Sequence, residues 1–435
     1  MKHSTRTIVM LLVVSLLLTM SVTILSACTG DYDVILVTDK QNVEDGAYNQ
    51  ELFYALKSYC EKHNLTFCSM SPMSPETKEY RKTIKTALEN YNADYVITPS
   101  TAFAEILTEE FTAPYVEKGQ KFIFLAGTNH NAEYAGASAV RVEYNNGVQV
   151  KKGDVVVEGK ESLVGLEGNS VKYERELYSA PEGVSYVNIN ENELGFLVGY
   201  LAAKSFDNVG FYASNTSAVE YVLAKVDGNI VEKPLAEEYD GNRLYQSAAN
   251  YYNGFLHGVD SAIATGSTTA VRVSTIRSNN ENGDQNKNAI QKSLVEKSDF
   301  VFSVAGNDNK LIASKAVVAK KISFNVDDNL TSDSNYTYNM GHAGINFSGI
   351  IEYLLSSDPE DVFGHNLVLG IQENAIMLHY DAEVLEAVSA NSNNASLIQA
   401  RGQFDNNRAE AIERCGECDF SSEVSLTPER IGIAA

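Results

Sequence analysis

Short apolar runs alternate with amphipathic stretches along most of this chain. Val34-Ile35-Leu36-Val37 is the first run, and after it Leu52, Leu56, Tyr59 and Cys60 recur at helical spacing. Phe67 marks a second short strand, Tyr80, Ile84 and Leu88 a helix, and Tyr95-Val96-Ile97 a third strand. Phe103, Ile106 and Leu107 predict another helix, and Phe122-Ile123-Phe124-Leu125 a fourth strand. Strands that alternate with helices in this way predict βαβ units and a parallel sheet.

The rhythm breaks between Ser138 and Leu177. Val140 to Val142, Val148 to Val150 and Val155 to Val157 are short β-like runs separated by Asn145-Asn146-Gly147 and Lys152-Gly153. Asn-Gly between apolar runs is a hairpin signal, which predicts an inserted hairpin or small antiparallel lobe. Alternation resumes with Val184 to Ile189, a helix holding Leu194, Leu197, Val198 and Leu201, and a strand at Val209 to Tyr212. A second insertion covers residues 214–242. Beyond it Leu244, Ala248, Tyr251, Tyr252, Phe255 and Val259 form one long helical face, before strands at Ala270 to Val273, Phe300 to Val304 and Ile322 to Val326. The fold class expected is α/β, with two doubly wound parallel-sheet lobes. Chains of this kind hold ligands at loops on the carboxyl ends of the strands, here between the two lobes.

The N-terminus follows a different pattern. Lys2 and Arg6 precede a nearly unbroken apolar run from Ile8 to Leu25, which ends in Leu25-Ser26-Ala27-Cys28. A charged start, an apolar middle and small residues before a cleavage point are the marks of a secretory signal. The last four residues resemble the bacterial lipobox, in which the cysteine thiol takes a diacylglycerol and becomes the mature N-terminus. Cys28 is therefore the expected lipidation site, anchoring the chain to the outer face of a cell membrane. An uncleaved membrane helix is the alternative reading of the same run. The expected division is 1–27 signal peptide, 28–137 first part of the N-terminal lobe, and 138–177 insertion. Residues 178–330 form mainly the second lobe, and 331–435 hold segments crossing between the lobes and a tail.

Charge narrows the partners. The full chain carries a net charge of −23, and loss of Lys2 and Arg6 with the leader makes it more negative. Such a chain repels nucleic acid and anionic headgroups, so neither is an expected partner. Cys415-Gly-Glu-Cys418 reads as a local disulfide. Cys60 and Cys68 read either as a pair or as two buried thiols. Hydrolase, metalloprotease and phosphate-loop signatures do not occur, so binding is expected and not catalysis, with no cofactor and no metal.

Six segments, in order, resemble the basic membrane protein family of periplasmic-type binding lipoproteins. They are Gly46-Ala-Tyr48-Asn49-Gln50, Asn92-Ala-Asp94-Tyr-Val-Ile, and Glu193-Leu-Gly195-Phe-Leu-Val-Gly199-Tyr-Leu-Ala-Ala203 in the first half. Tyr251-Tyr-Asn-Gly254-Phe255-Leu-His-Gly258, Ser298 to Gly306 and Asn325-Val326-Asp327 follow. The resemblance implies a type I periplasmic-binding-protein-like fold. It also implies a purine-nucleoside-receptor-like role that delivers a small molecule to an ABC permease in the membrane. It places Tyr48 and Tyr251 as rings stacking on a base, Asn49 as its hydrogen-bonding partner, Gly306 as backbone close to the ligand, and Asp327 as the ribose carboxylate. The residues alone leave other roles open. Tyr251 shares a core-like face with Phe255, Asn49 suits a helix cap, and Asp327 stands beside Asp328 in a turn. Two charged positions of the family are missing here, replaced by Ala126-Gly127 and by an uncharged stretch around Met340 to Phe347; Asn129, His130 and His342 are the candidate replacements. A ligand-sensing or adhesin-like surface lipoprotein is the alternative to transport.

Overall fold

A computed structural model describes residues 31–39, 48–99, 106–125, 137–145, 148–152, 155–157, 169–177, 180–214, 221–226, 229–234, 244–276, 283–306, 308–326, 334–379, 395–420 and 424–430, with single positions between some of them. The chain divides into two compact units. The first holds residues 1–125, 180–186 and 355–365, and the second holds 126–179, 187–354 and 366–435.

The chain opens with β1 (Val34–Val37), α1 (Tyr48–His63), β2 (Phe67–Met70), α2 (Thr77–Glu89), β3 (Tyr95–Pro99), α3 (Glu109–Val116) and β4 (Lys121–Leu125). All four residues of β1 are fully buried, as an apolar run covered on both faces must be. β1 pairs in parallel with both β2 and β3, and β3 with β4. Of the helix expected around Phe103 to Leu107, the described residues Phe103, Ile106 and Leu107 are buried, and the Phe103 carbonyl accepts from the Ile106 and Leu107 N–H groups at 2.9 and 3.1 Å; residues 104 and 105 lie outside the described residues, and α3 follows at Glu109.

The first insertion is an antiparallel sheet of its own. β5 (Ala137–Asn145), β6 (Val148–Lys152), β7 (Val155–Val156) and β8 (Asn169–Leu177) line up in the order β7-β6-β5-β8. β9 (Val184–Ile189) returns to the first sheet, and α4 (Glu191–Ser205) and β10 (Asn208–Ser214) follow. The second insertion contains the hairpin β11 (Tyr221–Val226) and β12 (Asn229–Pro234).

The second sheet is then completed in alternation. Its elements are α5 (Leu244–Ala264), β13 (Ala270–Ile276), α6 (Gly283–Lys297), β14 (Phe300–Val304), α7 (Asp308–Ala319), β15 (Ile322–Val326) and β16 (Asn339–Ile345). After α8 (Phe347–Ser356) and α9 (Pro359–Val362) come β17 (Asn366–Leu369), β18 (Ile376–His379), α10 (Ala395–Gly416) and β19 (Glu429–Arg430). The first sheet runs β17-β9-β4-β3-β1-β2 and the second β18-β16-β15-β14-β10-β13-β19. In both, the second strand lies outside the first and the third lies on its other side, so the order reverses once in each sheet. This is the doubly wound α/β architecture expected from the apolar pattern.

Four glycines set the packing of the second unit. Gly195 and Gly199 on α4 face Gly254 and Gly258 on α5, and the two helices touch through their backbones. A Cβ on Gly199 would stand 2.9 Å from the carbonyl carbon of Phe255, and one on Gly258 would stand 2.7 Å from the Tyr200 nitrogen. Phe255 of α5 packs on Phe211 and Phe302 of the sheet, and Phe302 on Phe324, so that these rings form a buried aromatic layer between helix and sheet. The C-terminal segment lies along α5. Phe420 packs edge-on to His257, Asn253 donates to the Phe420 carbonyl at 2.9 Å, and β19 adds a parallel strand beside β13.

The cysteine expectations are corrected. Cys415 and Cys418 are free thiols, so the local disulfide does not form; Cys60 is a free buried thiol while Cys68 is disulfide-bonded, so they are neither a pair nor two thiols. Cys415 turns inward from the last turn of α10 and is 2 % exposed, its sulfur 4.0 Å from the Glu193 carbonyl, whereas Cys418 lies past the helix end. No helix among the described residues is long and apolar enough to cross a membrane.

Candidate ligand-binding site

In a doubly wound sheet the groups best placed for a ligand follow the strands on either side of the order reversal, at their carboxyl ends. In the first sheet those strands are β1 and β3, and in the second β10 and β14.

Thr38 and Asp39 follow β1 directly. Thr38 continues the sheet, its N–H donating to the Met70 carbonyl at 3.0 Å, and its hydroxyl lies 2.8 Å from that of Ser71. Asp39 is half-buried, and its Oδ1 accepts from the side-chain amide of Asn49 at 2.8 Å. Asn49 is 1 % exposed and lies within the first turn of α1, not ahead of it in the capping position. The pair ties the end of β1 to the start of α1. Tyr80 secures the same turn by donating its hydroxyl to the Asp39 carbonyl at 2.8 Å, and burial, then the Asp39 charge, hold that phenol's pKa above its ordinary value.

In the second unit Gly306 stands two residues past β14. Its φ of +51° is one that a residue with a Cβ adopts only under strain, and no heavy atom lies within 4 Å of where a Cβ would be. The backbone here is exposed and open on that side, as close approach to a ligand requires. α7 starts just beyond, and its first two residues are buried. Asp308 accepts from Lys287 at 2.5 Å and from the Tyr212 hydroxyl at 3.1 Å, and Gln291 donates to that hydroxyl at 2.7 Å. Burial, then the Asp308 carboxylate, push the Tyr212 pKa up. Asn309 accepts from the Ala305 N–H at 3.1 Å and donates to the Val326 carbonyl at 3.1 Å.

The remaining expected residues divide. Cys28, Asp327, Asp328, Asn129 and His130 lie outside the described residues, and of Tyr48 only the backbone, at the start of α1, is described. Tyr251 is 1 % exposed, with its ring edge-on to Phe302 at 6.2 Å. Of the two roles open to it, that packing is the one of a core ring. His342, on β16, is 8 % exposed and stacks on His379 of β18, with ring centroids 4.5 Å apart and planes 6° from parallel. Burial and then His379 push its pKa down to about 3, so it is an uncharged core residue here and no substitute for a lost charged contact. Sequence reasoning passed over Asp39 and Asn309. The signal for Asp39 was its place, a carboxylate two positions after an all-apolar strand. A separate cleft of about 330 Å³ lies beside the edge strand β2, lined by Phe53, Lys57, Cys60, Glu61 and Phe67 among others, and includes neither Asp39 nor Asn49.

No family model matches the chain, and no curated protein matches it. Solved structures do. A solute-binding protein of an ABC transporter system from Aeropyrum pernix K1 is 13 % identical, with a TM-score of 0.44, covering 88 % of this chain and 89 % of that one. A transcriptional activator of the comK gene from Bacillus halodurans is 11 % identical, with a TM-score of 0.47 over 82 % of this chain and 95 % of that one. The arabinose-binding protein AraP from Geobacillus stearothermophilus is 11 % identical, with a TM-score of 0.43 over 83 % of this chain and 99 % of that one.

Proposed function

We propose that the protein is an extracytoplasmic substrate-binding lipoprotein of an ABC importer, of the basic membrane protein type, taking a nucleoside or similar small polar ligand. The observation that carries this reading is the Asp39–Asn49 pair, an amide and a carboxylate locked together at 2.8 Å at the carboxyl end of β1. A carboxylate has lone pairs for several donors, and Asn49 uses one of them. A neighbouring acceptor and amide suit the edge of a nucleobase, which presents donors and acceptors side by side. Gly306, with open space over its backbone, supports the reading from the second unit. In this reading Tyr48 stacks on the base, Asp327 accepts from ribose hydroxyls, and Tyr251 supports the site from within the core. Cys28 carries the lipid on the outer face of the membrane.

The test is a melting-temperature screen of the detergent-purified protein against nucleosides, nucleobases and sugars. A ligand that binds only the folded state at a hundred times its Kd adds about 2.7 kcal/mol of stability, so its midpoint rises clearly. A rise with nucleosides alone is expected, a rise with sugars alone replaces the ligand class, and no rise with any compound overturns the reading. Labelling with a fatty acid tests the anchor: Cys28→Ala abolishes it if the assignment is right. A second reading, a surface sensor or adhesin, draws on the two antiparallel insertions β5–β8 and β11–β12.

A further inference from the structure

Two of the segments assigned to the ligand in the second unit leave different strands, Gly306 after β14 and Asp327 after β15. Neighbouring parallel strands fix the register of these ends only as far as Ser303 opposite Asn325. On its other side Val326 pairs with Ala343 of β16, and a further tie between the end of β15 and the residues after β14 fixes their spacing. The Asn309 side chain supplies it. Its Oδ1 accepts from the N–H of Ala305, the residue before Gly306, and its Nδ2 donates to the carbonyl of Val326, the residue before Asp327. Its own backbone N–H donates to the Gly306 carbonyl at 2.9 Å. A single side chain, 2 % exposed, thus holds both flanks, and its backbone holds Gly306 itself.

The residue type suits the task. One end of the bridge needs an acceptor and the other a donor, with both partners in the backbone, and a primary amide is the compact group that offers the two together. Aspartate in this place would keep the bond from Ala305 and set an oxygen against the Val326 carbonyl. Leucine would keep the shape and lose both bonds. Asp308, next along the helix, anchors the same turn to Lys287 and Tyr212, so the start of α7 is immobilised beneath the bridge.

We infer that Asn309 is the positioning residue of the ligand site in the second unit, holding the Gly306 backbone at a fixed spacing from Val326 at the end of β15. The inference rests on the nucleoside-type reading above for the ligand, but the bridge itself is a property of the chain. Two measurements keep them apart. In the full protein, Asn309→Asp is compared with Ile312→Ala, which removes a fully buried side chain from the same helix and leaves both side-chain hydrogen bonds of Asn309 in place. Adenosine affinity is measured by calorimetry at a temperature at which both variants are folded. Asn309→Asp is expected to weaken binding about tenfold, the worth of one buried hydrogen bond replaced by an oxygen facing the Val326 carbonyl, which keeps only its longer bond from the Asn325 amide at 3.3 Å. Ile312→Ala is expected to melt lower and to bind as the wild type does. Backbone hydrogen exchange is read on the same samples without ligand. Faster exchange at both Ala305–Gly306 and Asn325–Val326 in Asn309→Asp alone supports the bridge, even if adenosine binds none of the proteins, a result that would count against the ligand reading only. Unchanged exchange at those two segments, or equal losses of affinity in the two variants, overturns it.

Discussion

Replacing Gly199 by alanine pits two opposed effects against each other, and the structure decides between them. In an exposed helix interior, glycine to alanine gains about 1 kcal/mol through helix propensity. At Gly199 the new methyl would meet the backbone of α5, 2.9 Å from the Phe255 carbonyl carbon and nearer still to its oxygen. Ordinary contact begins near 3.4 Å, so the helices must part by at least half an ångström. Neither side can yield by rotating a side chain, because the obstruction is backbone. Overpacking of this kind costs about 1–3 kcal/mol, and parting the helices also loosens the reciprocal approaches of Gly195, Gly254 and Gly258, each a loss of dispersion contact. The net expectation is destabilisation of about 1–2 kcal/mol, which for a unit of this size lowers Tm by about 2–8 °C. Thermal unfolding followed by circular dichroism reads it. Gly402→Ala is the internal control: this glycine lies on α10 with nothing within 4 Å of a new Cβ, so propensity acts alone and Tm should rise. Gly199→Ala combined with Gly258→Ala should cost less than the two separate losses, since one widened gap serves both. A Gly199→Ala protein that melts at or above the wild type would refute the reasoning.

Three further outcomes follow from other sites. Gly370→Ala should lower Tm, because a Cβ there displaces the Glu193 carboxylate from its 2.7 Å bond with the Ile371 N–H; adding Glu193→Ala should cost little more, and full additivity would refute the clash. His342 is depressed by burial to about 3, below an unfolded value of about 6.5, so its contribution is present above that unfolded value and lost as pH falls. Tm should therefore decline between about pH 6.5 and 4, and less so in His342→Leu; equal slopes would exclude this origin. Burial pushes the Cys418 thiol up to about 11 and the Cys415 thiol higher, so a thiol reagent should label the native protein slowly at neutral pH and fast on unfolding, and equal rates would contradict the burial.

The alternation of apolar runs and helical faces was enough to read the two sheets up to β15, though not β16 to β19, because a strand buried on both faces is predominantly apolar, with Ser303, Ser323 and Asn325 as buried polar exceptions. Val34 to Val37, Phe300 to Val304 and Ile322 to Val326 are strands at the residues the pattern marks. The Asn-Gly signal likewise located the antiparallel insertion, since its turn chemistry is local. What escaped depends on partners far apart in sequence. The Gly-Phe-Leu-x-Gly runs at 195 and 254 carry the family resemblance, yet in the structure they are the two halves of one helix contact, a role visible only once α4 and α5 lie together. Tyr251 offered a ring at a position shared with core residues, and helical spacing alone could not tell ligand from neighbour. Cys415 and Cys418 have disulfide-like spacing, but the helix turns one inward and leaves the other beyond its end. Asp39 gains meaning from Asn49, and Asn309 from Val326, through side-chain bonds that no periodicity records.

The most direct test of the account is calorimetric titration of the purified protein with adenosine and inosine, beside the Asp39→Ala variant at matched foldedness. The account predicts saturable binding to one site in the wild type. It also predicts an affinity about ten- to a hundredfold weaker in the variant, as loss of a charged hydrogen-bond acceptor of about 1.5–3 kcal/mol requires. Binding of equal strength in both proteins would contradict the role given to the end of β1, and no binding of either nucleoside by the wild type would contradict the ligand class.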